Sequence, residues 1–373
     1  MAEEGLAALL LTTEAELRWF TGFQTLFWQS PTRPWFLFVP AEGPPIAVIP
    51  EIGAPVMRRT WVTDIRTWSA PQPADDGVSL VAELLAPLAK RGERLGLPMG
   101  HETRLAMPLA DFERLRALVP GLALADCGPL VQRLRAVKSE GEIARIAYAC
   151  AVASATFDRV PHFAAEGVPL AAVFREFRRT ALAFGADDVP YLVGGAGPGG
   201  YEDVISPPDE RPLAAGDVLM LDTGLRFDGY HCDFDRNFAL GRANDRARRA
   251  HELLWRATEA GLDAACAGVR ASDVFAAMAR VLETWDGANG GGIGRVGHGL
   301  GLQLTEQPSL APFDRSVLEA NTVLTLEPSL ALGDGLTMVH EENIVVTEGA
   351  PRLLSARAPA ELPVLEGRLR FGM

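Results

Sequence analysis

Short apolar runs and helical periodicities alternate along the first third of the chain. The runs ALLLT (8–12), WFLFVP (35–40) and IAVIP (46–50) are continuous enough in branched and aromatic residues to predict strands, and helix-period patterns follow at 79–90 and 108–118. VPGLALADCGP at 119–129 then punctuates the pattern. The stretch KSEGEIARIAYACAVASATF predicts a long helix, with Ser139 as N-cap and Glu142 three residues on to complete a capping box. A domain boundary is placed near residue 135, giving domains of 1–135 and 136–373 in an α/β (α+β) chain.

Beyond that boundary, helical patterns at 140–163, 169–184, 245–267 and 272–286 interleave with strand-like runs at 217–223, 230–240, 322–328 and 337–347. Several of these strands carry an acid where apolar residues are expected. VLMLDTG and VLTLEPS are apolar until one carboxylate arrives, and a charge in a buried strand costs several kcal/mol unless it is paired or metal-bound. Two such acids in one domain call for a common cation.

Composition narrows the field. The 373 residues, 48% hydrophobic and 22% charged, are those of a globular protein with a sizeable core. A net charge of −13 argues against nucleic acid, whose phosphates need a basic surface. Cys127, Cys150, Cys232 and Cys266 form no CxxC pair and read as reduced, mostly buried thiols. The N-terminus has acidic flanks and no basic n-region, which makes a poor signal peptide, and no run approaches the ~20 apolar residues of a membrane span. The default expectation is the cytoplasm.

Asp222 ends VLMLD, and Asp233 follows eleven residues later in GYHCDFDRNF, a spacing that lets a hairpin fold the two acids together. His298 lies in GHGLGLQLTE, between glycines that permit close backbone approach to a ligand. Glu327 sits in TLEPS and Glu341 in VHEENIVV. Four carboxylates and one imidazole suit two divalent ions of the manganese, cobalt, iron or zinc type bridged by water, whereas magnesium fits an imidazole ligand poorly. Alone, Asp222 or Glu327 reads as a turn or cap residue; the joint pattern is what points to a site.

The order Asp, Asp, His, Glu, Glu, with spacings of 11, 65, 29 and 14, resembles prolidase and aminopeptidase P of the pita-bread metallopeptidases. LDTG, GYxxDxxRxF, GHGxG, LEP and EENIVVTE match around the five ligands, while RWFTGF and the helix opening at Lys138 are similar to the creatinase-type N-terminal domain. The resemblance implies a creatinase-like N-domain followed by a pita-bread catalytic domain. It also implies a metal on Asp222, bridging roles for Asp233 and Glu341, and a second metal on His298 and Glu327, with Glu327 as general base. The expected activity is hydrolysis of an Xaa-Pro dipeptide or a short Xaa-Pro peptide through a metal-bridging hydroxide, with two manganese ions foremost, in a homodimer.

Three helper positions depart from that family. Thr305 and Ile205 stand where histidines are usual, and Val339 stands where an arginine is often found. Alternation along a regular strand would put His231 and Asp235 on the face of Asp233, as replacements that shape substrate preference. The bland alternatives are a strand histidine with a satisfied hydrogen bond, and an aspartate paired with Arg236 or another surface base. A regular strand would turn His340 away from Glu341's face. The rival functions are a hydrolase of a small amide or guanidino compound on the same scaffold, and a binding protein without catalysis.

Other motifs fail on context. Gly292, Gly294 and Gly297 fit G-x-G-x-x-G but lack the strand before and the helix after. His251 in HELLW lacks the second histidine of a zincin helix. GGAGPGG at 194–200 reads as a flexible loop able to edge a pocket. Trp28 and Trp35 read as core residues, with a pocket-lining role as the alternative.

Overall fold

A computed structural model describes residues 1–29, 33–286 and 294–366. Gly292 therefore lies outside the described residues. The chain forms two compact units, Met1–Leu134 and Arg135–Met373.

The first unit is built on a six-stranded mixed sheet of β1 (Ala8–Leu11), β2 (Phe36–Pro40), β3 (Ile46–Pro50), β4 (Asp64–Trp68), β5 (Arg94–Leu97) and β6 (Ala123–Asp126), in the order β4-β3-β2-β1-β5-β6. Both faces are covered: Ala8, Leu10, Phe36 and Phe38 enter one core, while Leu9, Leu11 and Leu37 enter the other. Burial on two faces explains why β1 and β2 read as unbroken apolar runs. The edge strands β4 and β6 carry polar residues, as exposed edges do, and escape a reading by apolar runs. Helices α1 (Glu14–Thr21), α2 (Ala54–Met57), α3 (Val78–Arg91) and α4 (Leu109–Leu118) flank the sheet, and α5 (Gly128–Ala136) follows β6. Trp35 is buried and packs on Trp28 and Phe23, with ring centroids 5.4 Å from each.

The second unit opens with α6 (Glu140–Phe157), where Ser139 and Glu142 do form the capping box, and α7 (Leu170–Phe184). Next come β7 (Asp188–Pro198), β8 (Asp217–Phe227), β9 (Tyr230–His231) and β10 (Phe234–Leu240), followed by α8 (Asp245–Ala264) and α9 (Ala271–Leu282). The last stretch supplies β11 (His298–Gly299), β12 (Glu306–Ser309), β13 (Val323–Leu326), β14 (Ser329–Gly333), β15 (Leu336–Val339), β16 (Glu342–Val345), β17 (Arg352–Leu353) and β18 (Val364–Leu365). One sheet runs β18-β10-β8-β7 with β9 paired to β8, a second runs β12-β11-β13-β16-β17, and β14-β15 is a separate hairpin.

β8 shows how this arrangement places an acid. Leu219 and Leu221 pack into the core that includes α6 and α7, and Val218 and Met220 into the core with α8 and α9. Asp222 is next in that alternation, on the Met220 face. The hairpin after β8 turns at Asp228 and Gly229, both with positive φ (43° and 74°), as a two-residue turn matched to strand twist requires.

Two expectations are corrected here. Gly194–Pro198 is the end of β7, paired residue by residue to β8, and not a loop; a Cβ on Gly194 would lie 2.1 Å from the Met220 carbonyl oxygen. The runs expected as single strands at 230–240 and 337–347 are each broken, at Cys232–Asp233 and at His340–Glu341.

Candidate metal centre

The two breaks face each other. At the first, the Asp233 N–H donates to Asn343 Oδ1 at 2.9 Å, and Asn343 Nδ2 donates to the Asp233 carbonyl. At the second, the Glu341 N–H donates to Asp235 Oδ1 at 2.9 Å. The backbone at both acids thus leaves its own ladder and is held by a side chain from the opposite segment, so both carboxylates turn inward. Ligand atoms of Asp233, His298 and Glu341 all lie within 4.8 Å of one another, and all three residues are buried.

His298 is oriented by its own loop. Its Nδ1 lies 2.9 Å from the Gly299 carbonyl oxygen, which can only accept, so Nδ1 carries the proton and Nε2 presents a lone pair. Nε2 points at Asp233 Oδ2 (3.5 Å) and Glu327 Oε2 (3.8 Å). Burial and the nearby Arg295 lower its pKa to about 4, which keeps the ring neutral and able to ligate. The flanking glycines serve the backbone: a Cβ on Gly297 would meet the Thr325 carbonyl oxygen at 2.2 Å, and one on Gly299 would meet that of Gln307 at 2.3 Å.

Asp222 and Glu327 line the open side. The Glu327 side chain is 34% exposed. Asp222 is half-buried and sits directly opposite Asp235 in the β8-β10 register. Burial raises the pKa of Asp222, Asp233, Asp235, Glu327 and Glu341, and the acids' mutual repulsion raises those of Asp222, Asp233, Asp235 and Glu341 further. Asp222 Oδ1 and Glu341 Oε1 meet no hydrogen-bond partner among the described residues. Buried, mutually repelling carboxylates with unpartnered oxygens beside a neutral imidazole are the donor set a hard divalent cation takes.

His231 stands apart. Its Nδ1 lies 3.3 Å from the Gly224 carbonyl oxygen, and the charged groups acting on it are Arg226, Glu306 and Asp188. The break at Cys232–Asp233 interrupts the alternation that would have put it beside Asp233. Asp235 touches the cluster through the Glu341 N–H, and Arg236 meets its backbone carbonyl and not its carboxylate. The Arg236 guanidinium lies 2.9 Å from Glu342 Oε2, on the opposite face, in a buried network where Arg357 binds Glu342 Oε1 at 3.1 Å. His340 is buried behind Glu341, packed on His251.

Two residues that local pattern missed join the site. The Tyr191 phenol acts on the Asp222 carboxylate and holds down part of that acid's raised pKa. Tyr191 went unseen because the glycine loop expected at 194–200 left the strand that carries it unread. Asn343 carried a signal, as a polar residue in the apolar run ENIVV.

The pattern of metallopeptidase family M24 matches residues 144–348, and that of the creatinase/prolidase N-terminal domain matches residues 1–137. The chain belongs to metallopeptidase family M24. Members of this family are metal-dependent hydrolases, and this chain is accordingly an enzyme whose buried acids have a cation to serve. A probable dipeptidase PepE of Mycobacterium tuberculosis is 28% identical over 354 residues, 93% of this chain and 89% of that one. The dipeptidase PepE of Mycobacterium ulcerans superposes with a TM-score of 0.83 at 27% identity, over 98% of this chain and 95% of that one. A prolidase from Thermococcus sibiricus shares the M24 fold, with a TM-score of 0.86 at 23% identity over 98% and 96% of the two chains. No helix of the described residues is long and apolar enough to cross a membrane.

Proposed function

We propose that the chain is a dinuclear metallopeptidase cleaving an Xaa-Pro dipeptide or releasing the N-terminal residue of a short Xaa-Pro peptide. The observation that carries the reading is the buried cluster of Asp233, His298 and Glu341, with Asp222 and Glu327 at its open side. Asp222, Asp233, His298, Glu327 and Glu341 would hold the ions, with Asp222 on one, His298 and Glu327 on the other, and Asp233 and Glu341 shared between them. Two divalent ions there, manganese foremost and cobalt, zinc or iron as alternatives, supply a Lewis-acid pair that lowers the pKa of water and polarises a carbonyl. Glu327 is the general base: part-exposed, with a pKa raised by burial against the pull of Arg295, it accepts the attacking water's proton and passes it to the leaving nitrogen. Asp235 tunes the cluster's charge.

A second reading, hydrolysis of a small amide that is not a peptide, draws on the helper positions. Ile205 is 76% exposed, and neither it nor Thr305 or Val339 offers an imidazole or guanidinium. A panel of Xaa-Pro dipeptides, longer Xaa-Pro peptides and small amides under manganese, cobalt and zinc separates the two, with Glu327→Ala as control. Turnover of amides alone overturns the peptidase reading, and retained activity in the variant removes Glu327 as base. A cytoplasmic homodimer completes the proposal. The four free thiols suit a reducing compartment, and light scattering tests the assembly.

A further inference from the structure

Behind the carboxylate cluster, the second unit forms a cavity of about 260 Å³ that is partly open to solvent. Its floor is His251 from α8 and His340 from the break before β16, with ring centroids 5.6 Å apart and each residue only 1% exposed. His251 Nε2 lies 3.0 Å from the Pro359 carbonyl oxygen, so that nitrogen is the donor and Nδ1 is an acceptor. That Nδ1 and both ring nitrogens of His340 meet no hydrogen-bond partner among the described residues, and neither does Oδ2 of Asp235, which also lines the cavity. A neutral imidazole offers one donor and one acceptor, so the two rings together leave two acceptors and one donor to be met. Unpaired buried groups of this kind are costly, so a partner that satisfies several at once is strongly favoured.

The walls set the rest of the chemistry. Phe157, Phe238, Pro161 and Pro363 give them apolar surface. Arg236 and Arg357 also line the cavity, with Glu342 taking a guanidinium from each, and their positive field works against a cation. Asp235 works against an anion. A volume above the ~150 Å³ that accommodates benzene leaves room for roughly one substituted ring.

We propose that this cavity is a second ligand site, for a small uncharged molecule with an apolar body and a hydroxyl or N–H group that reaches the His251–His340 pair. His340 immediately precedes Glu341, and Asp235 accepts the Glu341 N–H, so an occupant bears on the segment that carries Glu341. Occupancy is therefore coupled to metal affinity, and the coupling is reciprocal. The site stands on the cavity alone, while the coupling rests on Glu341 as a metal ligand.

Saturation-transfer NMR with benzyl alcohol as probe, and benzylamine and benzoate as charged counterparts, tests the site on the full chain with and without manganese. Benzyl alcohol should bind saturably, and both charged analogues at least tenfold more weakly. His251→Phe should weaken benzyl alcohol at least tenfold. Ala356→Trp, at an exposed position on the rim, should do the same without touching the buried floor. Absence of saturable binding, equal binding of a charged analogue, or full binding in both variants overturns the site. Manganese affinity measured by chelator competition, with and without benzyl alcohol, tests the coupling separately: a change of threefold or more supports it, and an unchanged affinity removes it while leaving the site.

Discussion

Asn343 stands in for a peptide group opposite Asp233: its Oδ1 accepts the Asp233 N–H at 2.9 Å while its Nδ2 donates to the Asp233 carbonyl. The Cys150 thiol donates to the same Oδ1, and the Asn343 N–H donates to Ser355 Oγ at 3.1 Å, so the amide is fixed from three sides in a fully buried position. Asp233 needs this fixing because its backbone has left the β10 ladder.

Asn343→Ala should therefore weaken divalent-metal affinity by ten- to hundredfold, the range for losing a group that orients a ligand. Asn343→Asp keeps an acceptor for the Asp233 N–H, removes the donor and adds a charge beside the cluster, so it should not rescue. Competition with a chelating indicator reads both. An Asn343→Ala protein that folds and holds manganese as tightly as the parent would remove Asn343 from this role.

Asp222 and Asp235 are directly opposed in the β8-β10 register, an arrangement that destabilises the sheet unless a cation lies between the like charges. Asp235→Thr removes one charge while leaving a hydroxyl oxygen near the Glu341 N–H. The metal-free variant should melt a few degrees above the metal-free parent, a gain of about 1 kcal/mol or more. Calorimetry of chelated samples checks this, and a lower midpoint in the variant would show that the Asp235–Glu341 hydrogen bond outweighs the repulsion.

Much of the centre was legible because carboxylates in apolar strands are costly and therefore conspicuous. Asp222 and Glu327 interrupt apolar runs, Asp233 and Glu341 stood out through their spacing in the set, and Asn343 shows the first signature in weaker form. Orientation was not legible. Counting faces from His231 through Asp235 assumes an unbroken ladder, and the ladder breaks because Asn343, 110 residues away, takes the Asp233 backbone. The break at His340 and Glu341 was hidden for the same reason, through Asp235. The partner of Arg236 was equally hidden, since Glu342 reaches it from another sheet.

Acid stability should depend on Glu306. Burial works to raise its pKa, but Arg135 and Lys138, both paired with it, pull it down to about 2 from an ordinary 4.5. A depressed carboxylate contributes stability that is complete above the unfolded pKa and is lost as pH falls from about 4.5 through 2, here of order 3 kcal/mol. Denaturant midpoints followed from pH 5 to pH 2 should fall more steeply for the parent than for Glu306→Gln, which is less stable at neutral pH because two buried cations lose their partner. Parallel pH curves would rule out this linkage.

Gly294 and Gly297 belong to the same G-x-G-x-x-G pattern, and a phosphate loop would need both. The structure separates them. A Cβ at Gly294 meets nothing within 4 Å, whereas at Gly297, with φ at 148°, it lies 2.2 Å from the Thr325 carbonyl oxygen, a backbone atom that cannot swing aside. The neighbouring His298 N–H also donates to Thr325 Oγ1 at 3.2 Å, so any shift that relieves the clash displaces the imidazole from Asp233. Gly294→Ala should match the parent in stability and manganese affinity within error. Gly297→Ala should lose more than about 2 kcal/mol and at least tenfold in metal affinity. Equal effects of the two substitutions would restore the glycine-loop reading and separate Gly297 from the metal centre.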